Sequence, residues 1–190
     1  MDLNRAWAPD LYLMRHGQTL WNAEGRLQGR LDSPLTELGI VQARRQKWLL
    51  GALSKLDCYA SPAGRAQQTA RIVFAGRPWK TDPRLAEIDI GCFAGELFAD
   101  LARRHPTLFS GGPLDWYDKV PGGEHFDGLE SRLCGFLADL RRPAAIVTHG
   151  VTLRMLRALA MGLPRPRLAE MAVHQGAVHL VSRGRQRVFY

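Results

Sequence analysis

The chain has 190 residues, 46% of them hydrophobic and 23% charged, with a formal charge of +8. That is the size of one domain and the composition of a globular chain, which excludes disordered and low-complexity architectures. The excess charge is almost all arginine, suited to two-pronged binding of phosphate or carboxylate and equally to nucleic acid.

Leu11 to Met14 is a short apolar run that stops at Arg15-His16-Gly17, the pattern of a buried strand reaching a loop. From Thr36 to about Leu53, residues Leu38, Val41, Trp48, Leu49 and Ala52 fall near helical spacing, with Thr36 as the cap and Glu37 in the first turn. Asp57 to Ala60 predicts a second short strand. Ser61-Pro62 then reads as N-cap and first helical proline, opening a helix to about Phe74. Further helices are expected over Glu96 to Arg104, Asp127 to Arg141 and Val151 to Met161, the last stopped by Gly162 and Pro164. Ala144 to Thr148 repeats the first strand's pattern and ends on His149-Gly150. Ala177 to Ser182 and Arg187 to Tyr190 read as closing strands with Gly184 in the turn. Strand and helix alternate without an internal repeat or linker, so one α/β domain with a sheet covered on both faces is expected over residues 1–190.

No apolar run approaches the ~20 residues of a membrane span, and Met1 to Asp10 is polar where a secretory signal carries an apolar stretch. Cys58, Cys92 and Cys134 form no Cys-x-x-Cys pair. The expectation is a cytoplasmic protein with inert thiols and no membrane partner.

Three polar elements, Arg15-His16-Gly17, Ser61 to Arg65 and His149-Gly150, fall where a strand hands over to a loop or helix, the end of the sheet at which such folds bind ligands. Two histidines, two arginines and two helix starts would converge there, and a phosphoryl group suits them. Its peripheral oxygens take guanidinium forks and N–H donors at helix termini. Arg15 and Arg65 are the forks, and the N–H of Gly150 is the backbone donor. A neutral imidazole whose far nitrogen is held by an acceptor can attack phosphorus, which makes His16 the candidate nucleophile. The alkoxide leaving group needs a proton. Glu87 stands among the apolar neighbours Leu85, Ala86 and Ile88, where an un-ionised carboxyl is favoured, and is the candidate acid; Asp89, Glu96 and Glu124 are the alternatives.

A metal pair at His16 and His149 is disfavoured, because neither lies in a His-Glu-x-x-His or cysteine-rich context and the adjacent arginine would repel a cation. No metal or cofactor is expected. The arginine pairs at 44–45, 103–104 and 141–142 are scattered, with no nucleic-acid-binding signature beside them, and read as solvated helix faces.

Leu13-Met14-Arg15-His16-Gly17-Gln18-Thr19, Trp21-Asn22, Leu27-Gln28-Gly29 and Asp32-Ser33-Pro34-Leu35-Thr36, followed by Gly39, Gln42 and Ala43, resemble the opening signature of the histidine phosphatase superfamily, also called phosphoglycerate-mutase-like. The resemblance continues through Ser61-Pro62, Arg65-Ala66, Thr69-Ala70, Leu85, Glu87, Gly91, Pro121-Gly122-Gly123-Glu124 and Thr148-His149-Gly150 with Arg154, nearly the whole chain. It implies a three-layer α/β sandwich with a mostly parallel central sheet, and metal-free phosphoryl transfer through a phosphohistidine. Under it His16 is the nucleophile, Arg15, Asn22, Arg65 and His149 form the phosphate pocket, Gln28 lines its wall, and Glu87 donates the proton and later activates water. His149 would be protonated or hydrogen-bond-donating.

The chain departs from the family pattern at three places. It has Gly91-Cys92-Phe93-Ala94-Gly95 for Gly-x-Trp-Glu-Gly, His125 for a serine, and Ala60 with Ala63-Gly64 around Ser-Pro, which would loosen that helix start. The resemblance favours a phosphatase of a small phosphomonoester over a mutase, because the insert before His149 is compact and no second basic motif is evident. A substrate-covering insert is expected over about 92–125, with Trp116-Tyr117 and Lys119 serving either as a lid over substrate or as packing. Trp116, Asp118 and Pro121 to Glu124 are similar to the α-ribazole phosphatase-like branch. A non-catalytic phosphate-binding module is the rival from another class, opposed by the complete set His16, Arg65, Glu87 and His149.

Overall fold

The computed structural model describes residues 9–51, 53 and 55–190. Most of the polar opening stretch, and Ala52, lie outside the described residues. Six strands among them, β1 (Leu11–Arg15), β2 (Asp57–Ala60), β3 (Lys80–Thr81), β4 (Ala144–Thr148), β5 (Val178–Ser182) and β6 (Arg185–Phe189), form one sheet in the order β3-β2-β4-β1-β5-β6. The pairs β1–β4, β4–β2 and β2–β3 are parallel, while β5 runs antiparallel to β1 and β6. The mostly parallel sheet expected from the sequence is there. β3 gave no signal, being two exposed polar residues.

Six helices among the described residues, α1 (Leu20–Glu24), α2 (Glu37–Leu50), α3 (Gly64–Val73), α4 (Phe98–Arg104), α5 (His125–Asp139) and α6 (Gly150–Met161), accompany the sheet. Strand side chains alternate between its faces. Leu11 and Leu13 of β1 with Ala144 and Ile146 of β4 pack into the core that holds Leu129 and Leu133 of α5 and Leu153 and Leu156 of α6. Met14, Ala145 and Val147 face the other way, onto Ala43 and Leu50 of α2 and Ala66 and Ala70 of α3. Three layers result, with both faces of the central strands buried, which is why these strands read as continuous apolar runs.

Two helices differ from the sequence reading. Thr36 caps α2, accepting from the Gly39 N–H at 3.0 Å, but Leu38, Val41 and Trp48 are exposed, and Gly39, Ala43, Gln46 and Leu50 face inward. The reason is the close approach of α2 to the loop after β1. A Cβ on Gly39 would stand 2.1 Å from the Gln18 carbonyl oxygen, and one on Gly17 would stand 2.2 Å from that of Gly39. Only small residues fit there. Helix α3 begins at Gly64, two residues later than Pro62, and Ser61 does not cap it.

The segment between β3 and α5 carries α4, several 3-10 turns and an aromatic cluster. Phe98 meets Phe109 edge-on at 5.2 Å, and Trp116 and Tyr117 stack at 3.9 Å. Trp116 and Phe126 carry this cluster into the α5–α6 core. His125 opens α5 at φ 63°, a left-handed conformation that costs a non-glycine residue about 1 kcal/mol, and Asp118 accepts the next N–H, that of Phe126, at 2.7 Å.

Candidate active site

β1 and β4 are neighbours at the middle of the sheet, so Arg15-His16 and His149-Gly150 leave it side by side: the His16 N–H donates to Thr148 O at 2.9 Å. β2 lies on the far side of β4, and the Ser61 N–H donates to Val147 O at 3.0 Å. The three polar elements therefore meet by register alone. The two imidazole rings are 5.2 Å apart, edge to face.

His16 is buried, and its Nδ1 lies 2.8 Å from the Gly17 carbonyl oxygen. A carbonyl only accepts, so the proton of the neutral ring is on Nδ1 and the lone pair on Nε2. Burial, with Arg65 and Arg15 adding to it, pushes the ring well below the ordinary histidine value, so it is neutral at pH 7. Arg65 Nε reaches Nε2 at 3.3 Å.

Arg65 is 1% exposed. Its NH1 donates to Leu31 O at 2.6 Å and to Asp32 Oδ1 at 2.9 Å, and its NH2 to Gly29 O at 2.9 Å. Asp32 Oδ1 also accepts the Arg65 N–H at 3.1 Å, doing for the start of α3 what Ser61 was expected to do. Gly64 makes this possible, since a Cβ there would stand 2.0 Å from the Asp32 carboxylate. The Ala63-Gly64 departure is thus the opening through which Asp32 reaches the helix.

Ser61 turns to His149, its hydroxyl 2.7 Å from Nε2, leaving Nδ1 buried with no protein partner. Burial, then Arg65, His16 and Arg15, push this ring well below the ordinary value as well. It is neutral in the free protein, where a neutral N–H is the donor that the ring offers.

Glu87 does not sit in the apolar surroundings of its sequence neighbours. Its Oε1 accepts from the N–H groups of Ile88 and Thr152 at 3.1 and 3.0 Å and lies 2.9 Å from the Thr152 hydroxyl, which donates to Ala86 O at 2.8 Å, whereas Oε2 accepts only the Val151 N–H at 3.1 Å. The carboxylate closes the first turn of α6, leaving the Gly150 N–H without an acceptor among the described residues. A Cβ on Gly150 would be 3.6 Å from Arg15 Nε and 3.7 Å from Glu87 Oε2. Arg15 Nε is buried and unpartnered. The alternative acids point elsewhere. Glu124 is held by Arg132 and Arg30, Glu96 pairs with Arg104 at the surface, and Asp89 accepts the Gly91 N–H.

Asn22 Oδ1 accepts from the Thr19 N–H at 3.2 Å and from Gln175 Nε2 at 3.1 Å, which leaves its own amide nitrogen as a donor. Gln28 is buried, its amide nitrogen donating to the Thr19 hydroxyl and its carbonyl oxygen unpartnered. Sequence reasoning missed Gln175, which also donates to His16 O, and Gln46, which ties Arg15 O to Ala177 O. It missed as well a strap of three consecutive carbonyls. Met171, Ala172 and Val173 accept from Arg154, Arg157 and Arg15 respectively. Backbone acceptors leave no side-chain signal, so nothing in the sequence pointed to them.

These buried rings give stability a pH dependence of known sign. His179, buried on β5 near Arg157, is held at about 4, against an ordinary value of 6.5. With His16 and His149 it takes up its proton readily only when the chain unfolds. Stability is therefore full above about pH 6.5 and falls with pH below it, until the folded values are passed. Asp82 and Glu124, whose burial is outweighed by hydrogen bonds from Arg84 and Arg132, stabilise the fold above about pH 4.5 and lose that contribution only below it. The urea midpoint should drop between pH 7 and pH 5, before carboxylates matter. Equal midpoints would mean that the rings take up their protons as readily in the folded chain as in the unfolded one.

The sequence model of the histidine phosphatase superfamily (branch 1) matches residues 11–189. A protein of Enterobacter sp. (strain 638) named "Probable phosphoglycerate mutase GpmB" is 37% identical over 170 residues, covering 81% of this chain and 75% of the relative. The crystal structure of the alpha-ribazole phosphatase from Shigella flexneri is similar with a TM-score of 0.81 and 29% identity, over 95% of this chain and 94% of that one. The mycobacterial glucosyl-3-phosphoglycerate phosphatase, solved with VO3, gives a TM-score of 0.80 and 28% identity, over 96% and 98%.

Proposed function

The chain belongs to the histidine phosphatase superfamily, and from that premise we propose that it is a metal-independent phosphatase hydrolysing a small phosphomonoester through phospho-His16. The carrying observation is the His16 ring itself, neutral among arginines with Nδ1 tied to Gly17 O and the Nε2 lone pair facing Arg65.

Nε2 attacks phosphorus and the bond to the alcohol oxygen breaks, while Glu87 gives that oxygen its proton. Oε1 already has two N–H donors against one on Oε2, so the proton travels on Oε2. The Arg15 and Arg65 guanidiniums, the Asn22 amide, the Gly150 N–H and the His149 Nδ1–H take the phosphoryl oxygens as negative charge spreads over them. With the Ser61 hydroxyl donating to Nε2, the His149 proton sits on Nδ1, the atom the protein leaves unpartnered. Water, deprotonated by Glu87, then attacks phosphorus, releasing phosphate and restoring His16. Gln28 borders this pocket. Residues 92–125 form the part of the single domain that covers the alcohol.

Glu87→Gln tests the acid. It should slow alkyl phosphates by about 10²–10⁴-fold, and p-nitrophenyl phosphate, whose leaving group needs no proton, far less in the first step. Equal losses on both would remove the acid role from Glu87.

The relatives named as mutases support a second reading, transfer of the phosphoryl group back to a sugar acid. Incubation with 3-phosphoglycerate and 2,3-bisphosphoglycerate separates the two. Inorganic phosphate should accumulate, and isomer interconversion without it would make the enzyme a mutase.

A further inference from the structure

Glu87 stands on the loop between the 3-10 turn Pro83–Leu85 and Gly91, and that loop is held from two sides. On the inner side, the Leu85 and Ala86 carbonyls accept the hydroxyls of Thr148 and Thr152 at 2.7 and 2.8 Å. On the outer side, the grip comes from residues that have no part in the chemistry above. The Arg84 carbonyl, three residues before Glu87, accepts from Arg132 Nη1. Asp89, two residues after Glu87, meets Glu124 twice. Its N–H donates to Glu124 Oε2 at 3.2 Å and its carbonyl accepts the Glu124 N–H at 3.0 Å.

Glu124 and Arg132 close this outer grip on each other. Arg132 Nε donates to Oε1 at 2.5 Å and Nη2 to Oε2 at 3.0 Å, a two-pronged match that fixes the guanidinium plane and leaves Nη1 for Arg84 O. The two side chains are only 14% and 15% exposed. Arg30 also reaches Oε2, at 3.3 Å, but it is 42% exposed and forms a screened surface pair. Burial raises the Glu124 carboxyl, and the hydrogen bonds from Arg132 outweigh it and keep the group ionised.

The sequence makes room for the pair. Glu124, Gly128 and Arg132 follow at intervals of four from the N-cap of α5, so they share one face of the helix with the glycine between the two charges. A glycine inside a helix is unfavourable by itself, yet a Cβ at 128 would stand 2.8 Å from Glu124 Cγ. Its absence lets the Glu124 side chain lie back along the helix toward Arg132. Gly91 does the same for the loop. At φ 48° it comes so near the turn before α5 that a Cβ would stand 2.2 Å from Pro121 O.

We propose that Glu124 and Arg132 are positioning residues for Glu87: the pair grips the loop at Arg84 O and at both sides of Asp89, and so sets where the Glu87 carboxyl stands against the ester oxygen. The proposal rests on the phosphatase reading for the role of Glu87 as the acid.

Rapid-quench measurement of phospho-His16 formation would compare benzyl phosphate, whose alkoxide needs the proton, with p-nitrophenyl phosphate, whose leaving group does not. Glu124→Gln keeps the shape but leaves one acceptor oxygen for the Arg132 fork and the Asp89 N–H. It should slow transfer from benzyl phosphate about tenfold or more, as a misplaced acid predicts, and keep transfer from p-nitrophenyl phosphate within about threefold of wild type. Added to Glu87→Gln, it should bring almost no further loss on benzyl phosphate, because the group it positions is gone. Arg132→Lys, one ammonium for three acceptors, should show the same selectivity and carries the comparison should Glu124→Gln fail to fold. Equal losses on the two esters, or the same loss with and without Glu87, would reduce the pair to a structural element and overturn the proposal. Hydrogen exchange over residues 84–90 is read beside the kinetics and should quicken severalfold in Glu124→Gln whatever the reaction; unchanged exchange would overturn the grip. Failure of wild type to form a phosphoenzyme from either ester would instead overturn the phosphatase reading, with the exchange still deciding the grip.

Discussion

His16→Ala should remove turnover of an aryl phosphate by roughly 10³-fold or more, with chelator present throughout, and should remove the acid-labile phosphoenzyme altogether. The loss is expected to be this large because no second side chain can take over the attack. The Nδ1 of His149 is a donor in the proposed chemistry and its Nε2 is held by the Ser61 hydroxyl at 2.7 Å. The variant should fold, since the His16 side chain makes only the Gly17 and Arg65 hydrogen bonds. Quenched-flow trapping with labelled substrate reads the covalent step directly. Label on another residue, or activity within tenfold of wild type, would end the nucleophile assignment.

Arg65→Met should be costly twice over. In stability, it strips the Leu31 and Gly29 carbonyls and one side of Asp32 of their donor. Asp32 is 42% exposed and regains water, so most of the penalty falls on the two carbonyls, about 3 kcal/mol in all. In catalysis, the variant loses a phosphate fork and one of the two cations that keep the His16 ring neutral. Arg65→Lys should rescue little of either, because a single ammonium cannot serve three separate acceptors and the nucleophile together. Urea unfolding and kcat/KM measured on both variants check this. A lysine variant with wild-type stability and activity would show that the charge alone matters.

Much of the fold was legible in the sequence. β1 and β4, at the middle of the sheet, advertise themselves as short apolar runs, and β2 as a shorter one with its second and fourth residues buried. α6 carries Gly162 in a left-handed C-cap, the stop signal the sequence displays. Where local pattern misled, a tertiary contact had overruled it. Leu38, Val41 and Trp48 of α2 face solvent because the loop after β1 admits only a glycine at 39 on the inward face. Ser61 abandons the cap of α3 because His149, 88 residues away, lies within hydrogen-bond reach. β3 is too short and too polar to show at all.

The candidate site divides along the same line. Histidine, arginine and carboxylate side chains at strand ends carry their chemistry in their identity, so His16, Arg15, Arg65, Glu87 and His149 could be named from a linear string. What the string withheld were the atoms that fix charge and direction. The Gly17 carbonyl sets the His16 tautomer. The carbonyls of residues 171–173 hold three arginines, and Gln175 turns the Asn22 amide. A residue's type determines what it can donate or accept. Which partner it meets depends on parallel strand register and helix packing across more than a hundred residues, and only the folded chain decides that.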